Sequence, residues 1–169
     1  EHSVLEEFYT KMINLFSKFN TSTGVHCFSK PAGAMRGIFP VMDTLRIGDL
    51  ELEVLEGLGG HTRGQIYLYS QKAGLLFAAD SVINFASLSR ERADYSSLAA
   101  FLVTSVNVDS ALAKKERKAL MELSLETDAA LLGTGRRCLV CGGHGAVSVH
   151  EGTGLVAYGV IEHYHSPDV

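Results

Sequence analysis

Residues 52–80 read LEVLEGLGGHTRGQIYLYSQKAGLLFAAD, and the fold turns on this stretch. Leu52 and Val54 alternate with Glu53, and Ile66 and Leu68 alternate with Tyr67 and Tyr69, a period of two that puts successive side chains on opposite faces of a strand. Between these strands stands Gly59-Gly60-His61-Thr62-Arg63-Gly64, where small residues leave one imidazole at a turn. A second turn over residues 71–74 leads into a strand, Leu75 to Ala79, that ends on Asp80.

Working outward, residues 44–47 and 50–55 flank Gly48-Asp49 and form a hairpin, since Leu50, Leu52 and Val54 alternate with Glu51 and Glu53. Upstream, Leu5, Phe8, Met12, Leu15 or Phe16, and Phe19 recur at helical spacing and predict an amphipathic helix over residues 3–19. A short strand is expected at 25–28 and an irregular loop at 30–40, which holds Pro31, Gly33, Gly37 and Pro40. Two helices are expected downstream of Asp80. The better defined begins at Asp109 or Ser110, with Leu112, Ala119, Leu120 and Leu123 on one side and the Lys114 to Lys118 charges opposite. A last strand at 137–141, a Gly-rich turn and a helix over 154–165 complete the reading. The class is α/β, one domain over residues 1–169, with antiparallel strand pairs beside helices.

Composition narrows the possible roles. The 169 residues are 46% hydrophobic and 20% charged, with Lys plus Arg 15 against Asp plus Glu 19, a net charge of −4. Such a chain folds and offers no broad cationic face to a phosphate backbone, so no nucleic-acid partner is expected. Cys27, Cys138 and Cys141 are too few to staple the domain and point to a reducing, cytoplasmic setting. No apolar run reaches the ~18 to 20 residues that cross a bilayer, so no membrane partner is expected.

Three segments could carry chemistry. Gly59 to Gly64, Phe77-Ala78-Ala79-Asp80-Ser81 and Val140-Cys141-Gly142-Gly143-His144-Gly145 each end a strand, remove side-chain bulk and present one metal-competent group. Residues at strand ends converge on one rim of a sheet, where imidazole and carboxylate donors suit Zn and also Fe or Mn. Cys138-x-x-Cys141 lacks a second cysteine pair and lies in a strand, where residues three apart face opposite ways; the two read as small buried hydrophobes. His163 and His165 diverge on a helix and read as exposed or supporting residues, and His26 and His150 have no supporting context. Tyr67 and Tyr69 share a strand face and read as packing.

Together these residues resemble the metallo-β-lactamase superfamily of metal-dependent hydrolases. Residues 52–80 look like its third and fourth motifs, Gly-His-Thr-x-Gly followed by Gly-Leu-Leu-Phe-x-x-Asp, with nineteen residues from His61 to Asp80. Gly143-His144-Gly145 looks like the fifth. The resemblance covers roughly residues 40–150 and implies an αββα sandwich with a metal centre at one sheet edge. By the family pattern His61 would ligate the first metal, His144 the second, and Asp80 would bridge them. Two divalent ions, zinc first and iron or manganese as alternatives, would generate a hydroxide nucleophile, so Asp80 is the candidate catalytic carboxylate. A small ester, thioester, lactone or amide is the implied substrate.

The signature His-x-His-x-Asp-His of that family and the strand-rich half preceding it are lacking here. Only Glu1-His2 matches its end, which would make Glu1 stand for the usual Asp and His2 a ligand of the second metal. Smaller departures are Arg63 for Pro, Ala78-Ala79 for a Thr-Gly pair, and Gly142 for Pro before Gly143-His144. A chain lacking half of the sandwich would expose an apolar sheet face, so a homodimer or strand exchange is expected. The alternative to a hydrolase is a non-catalytic interaction or assembly module that keeps the scaffold without the first metal motif.

Overall fold

The computed structural model describes Phe28, residues 33–84 and residues 107–158. Among these, eight strands and one helix run in the order β1 (Met35–Arg36), β2 (Phe39–Ile47), β3 (Leu50–Glu56), β4 (Ile66–Ser70), β5 (Leu75–Asn84), α1 (Ser110–Ala130), β6 (Leu139–Gly145), β7 (Ser148–Glu151) and β8 (Gly154–Ala157). The strands form a sheet whose spatial order is the chain order, β1 to β8. Every neighbouring pair is antiparallel except β5 and β6, which are parallel. A short turn can reverse a strand, but a parallel partner needs a crossover, and the return from β5 to β6 includes α1. The molecule is therefore mixed α/β, mostly strand.

Register places the alternating residues. Leu55 lies opposite Tyr67, and Tyr69 opposite Leu76, so these side chains share one face of the sheet. That face, continued by Ala78, Cys138 and Val140, forms the core with Ala119, Leu120 and Leu123 of α1. Tyr67 and Tyr69 are buried, as their packing role requires, and Phe39 meets Tyr67 edge to face with ring centroids 5.2 Å apart. Each large side chain buried here contributes roughly 1.5–3 kcal/mol relative to exposure.

α1 starts where a cap is available. The Asp109 carboxylate accepts from the Leu112 N–H at 2.9 Å and satisfies one of the open donors of the first turn. Its inward stripe is Ala113, Glu116, Ala119, Leu120, Leu123 and Thr127, at helical spacing. One correction arises here: Glu116, expected among the outward charges, is fully buried.

The two hairpins read from sequence are present, with Ile47 paired to Leu50 and Ser70 to Leu75. Other expectations are corrected. The loop expected over 30–40 contains β1 and the start of β2, because Pro40 sits opposite Met35 in a two-residue edge pairing that leaves most of the strand unhindered. The Gly-rich turn expected at 142–145 is the second half of β6, and residues 154–157, expected to begin a helix, are β8. There Gly152-Thr153 closes a tight hairpin in which Glu151 faces Gly154, and ladder bonds to β7 outweigh the helical spacing of Leu155 and Tyr158. The helix expected at 3–19, most of the strand at 25–28, the first helix after Asp80 and the remainder of 154–165 lie outside the described residues.

Candidate metal centre

β3, β5 and β6 point the same way, because β3 and β5 are both antiparallel to β4 and β6 is parallel to β5. Their C-terminal ends therefore share one edge of the sheet. His61 follows β3, Asp80 lies in the outer half of β5, and His144 is the penultimate residue of β6.

The His61 loop is tied at its base, where Gly57 N–H donates to Gln65 C=O at 2.8 Å. Its crest rests on the chain entering α1: Asp109 N–H donates to Gly60 C=O at 2.9 Å and Val108 N–H to His61 C=O at 3.1 Å. A Cβ on Gly60 would lie 2.2 Å from the Ala113 nitrogen, so only glycine allows this approach. His61 Nδ1 stands 3.0 Å from Asn107 Oδ1. With the amide oxygen facing the ring, Nδ1 is the nitrogen that donates, and Nε2 is the one turned toward Asp80.

Asp80 is presented by an irregular stretch of β5. The ladder with β6 shifts register between Phe77 and Ala79 and again between Ala79 and Ile83, and Ala79 takes φ 44°. Such a bulge bends the strand and re-aims the next side chain. Across it, Gly143 lies so close that a Cβ there would meet Asp80 Oδ1.

These elements bring the three candidate residues together. His61 Nε2 lies 3.6 Å from Asp80 Oδ2, and His144 Nε2 lies 3.6 Å from Asp80 Oδ1. Both separations exceed a hydrogen bond. They are close to the span of two donors sharing one cation, since donors about 2.1 Å from an ion in tetrahedral arrangement stand about 3.4 Å apart. The donor set, one imidazole against each oxygen of a single carboxylate, fits a carboxylate shared between two ions. It does not form a cage round one ion, and among the described residues no group of three or more His, Cys, Asp or Glu is placed to hold a metal ion. Exposure is graded: the side chains of His61, Asp80 and His144 are 16%, 40% and 52% exposed, so the centre opens to solvent on the His144 side.

His2 lies outside the described residues, as do His26, Cys27, His163 and His165. Cys138 is buried and Cys141 half-buried, both as free thiols, and burial raises the pKa of each. His150 is buried on β7, and its backbone carbonyl accepts from Arg137. Asn107 was not singled out in the sequence, because a lone Asn two residues ahead of a helix cap carries no local signal of what it will face. A groove of about 440 Å³ lies at the other edge of the sheet, lined by Arg36, Asp49, Glu51, Glu53, Lys72 and Arg136 among others, and takes no part in this centre.

No family model, curated protein or solved structure matches the chain. Among the described residues, no helix is long and apolar enough to cross a membrane.

Proposed function

We propose that this chain carries part of the metal centre of a metallo-β-lactamase-type hydrolase acting on a small ester, thioester, lactone or amide. The observation that carries the reading is the placement of two imidazole nitrogens against opposite oxygens of the Asp80 carboxylate. Three further features support it. Ala79, which stands where the resemblance expects Gly, takes the left-handed backbone that glycine favours. Gly143 leaves the room into which Asp80 reaches. A sheet with α1 packed on one face suits one half of an αββα sandwich.

In this reading His61 and His144 each offer Nε2 to a cation, and Asp80 lies between them with an oxygen toward each. Asn107, 3.0 Å from His61 Nδ1, would orient the ring so that Nε2 faces the cation. Divalent ions bound there, zinc first among those suited to imidazole and carboxylate, would supply the charge that acidifies water and polarises a carbonyl. The exposed His144 side gives a small substrate its approach, and Asp80 is the carboxylate nearest the reacting atoms. A complete site would need further ligands, and His2 is the candidate the sequence offers.

Zinc content measured after dialysis of the full chain tests the proposal, with His61→Ala, Asp80→Ala and His144→Ala alongside. Each variant is expected to lose zinc, Asp80→Ala most completely because it touches both halves of the centre. Equal zinc in the parent and all three variants would remove the ligand assignment. Zinc binding without hydrolysis of any of the four substrate classes would favour the non-catalytic module.

A further inference from the structure

We infer that Glu116, a fully buried carboxylate on α1, is a positioning residue that sets the spacing between the His61 and Asp80 segments. Glu116 Oε2 accepts from Gly60 N–H at 2.8 Å, and Oε1 accepts from Leu58 N–H at 2.5 Å. Both donors belong to the loop that ends on His61. Oε1 also accepts from the Tyr67 hydroxyl at 3.1 Å. That hydroxyl lies 2.8 Å from Ser81 Oγ, which also receives the Gln65 Nε2–H at 3.0 Å.

Ser81 directly follows Asp80. Its backbone carbonyl accepts from Arg117 Nε at 3.0 Å, so consecutive residues of α1 hold the two segments from which His61 and Asp80 project. The helix acts as a ruler between them. A carboxylate that bonds two backbone N–H groups and a hydroxyl fixes direction as well as distance, which an apolar contact does not.

Glu116 supplies partners for two backbone donors at a position whose surroundings are otherwise apolar. The flanking inward positions are Ala113, Ala119 and Leu120, and burying a carboxylate carries a desolvation cost that its hydrogen bonds must offset. An apolar side chain at 116 would fill the same stripe without that cost but would leave the Leu58 and Gly60 donors unsatisfied. The carboxylate thereby sets the geometry of the loop, and through it the aim of His61.

The test uses Glu116→Gln, which keeps volume but turns an –NH₂ toward one of the two backbone donors. Imidazole nitrogen NMR of the metal-free chain reads the His61 tautomer, and titration with Co²⁺ reads affinity and the visible spectrum of the bound ion. In Glu116→Gln the single Nδ1–H signature is expected to give way to mixed tautomers and the Co²⁺ affinity to fall about 10–100-fold. Leu120→Ala destabilises the same helix without touching the loop and is expected to leave both readouts at parent values. Unchanged readouts in a folded Glu116→Gln, or an equal loss in Leu120→Ala, would overturn the inference. The Co²⁺ arm rests on the metal reading above. A parent chain that takes up no Co²⁺ would count against that reading, while the tautomer still decides the role of Glu116. Should Glu116→Gln fail to fold, Tyr67→Phe removes one donor from the same carboxylate and is expected to shift both readouts the same way by a smaller amount; no shift there would likewise overturn it.

Discussion

The Asp80 carboxylate fills the space that a side chain at Gly143 would need: a Cβ built on Gly143 would stand 1.9 Å from Asp80 Oδ1. Two adjacent parallel strands thus meet at one carboxylate, and the glycine ahead of His144 serves Asp80 rather than His144 itself.

Gly143→Ala therefore acts on the centre before it acts on the fold. Asp80 is 40% exposed and can swing outward, so the expected stability cost is no more than about 1–2 kcal/mol, while zinc uptake falls as far as in Asp80→Ala. Thermal unfolding beside metal analysis checks this. A variant with parent-like zinc uptake would show that the carboxylate position is immaterial.

Ala79 at φ 44° is the only described non-glycine residue with positive φ. Holding an L-residue there costs roughly 1–2 kcal/mol, part of which glycine returns through its freer unfolded chain. Ala79→Gly is expected to raise stability by up to about 1 kcal/mol with zinc content unchanged. A lowered Tm would contradict the strain argument.

Gly60→Ala tests the seating of the His61 loop on α1. The added methyl meets the Ala113 nitrogen at 2.2 Å and Glu116 Oε2, and neither the backbone nor the bound carboxylate can give way cheaply. A loss of about 2–3 kcal/mol by urea unfolding is expected, accompanied by loss of zinc. Gly64→Ala gives the comparison, since no atom lies within 4 Å of its Cβ and only the left-handed backbone opposes it.

Alkaline pH should destabilise the chain through its buried thiol. Burial first, and the Asp128 charge second, push Cys138 up to about 12 from an ordinary value of 9.0. Between those pH values the folded state keeps a proton that the unfolded state has lost, so stability present below pH 9 falls as pH rises, by about 1.4 kcal/mol per unit for each such proton. Tyr67 and Tyr69, raised mainly by burial, add the same sign at higher pH. Urea unfolding at pH 8.5 and ~10 should show a smaller drop for Cys138→Ala than for the parent. Identical drops would place the titrating group elsewhere.

Much of the fold was legible because backbone period and partition from water act over a few residues. The alternation in 50–55 and 65–70 predicted β3 and β4, and Asp109 or Ser110 marked the start of α1. Residues 154–157 show where this fails: their apolar spacing is compatible with a helix, and pairing with β7 makes them a strand. His61, Asp80 and His144 drew notice in the sequence as lone His and Asp among small residues, although Asp80 lies within β5 rather than at its end.

By itself, the sequence determined the two hairpins β2–β3 and β4–β5, the start of α1 near Asp109 or Ser110, and the three side chains His61, Asp80 and His144 as candidates for one rim. Only the tertiary structure decided that the two imidazoles face opposite oxygens of one carboxylate, that Asn107 stands against His61 Nδ1, and that Glu116 lies inside the core. The physical reason is that hydrophobic periodicity is a property of neighbours along the chain. The burial of a charge and the aim of a ring depend on which donors arrive from elsewhere, and that is settled by strand register and helix docking.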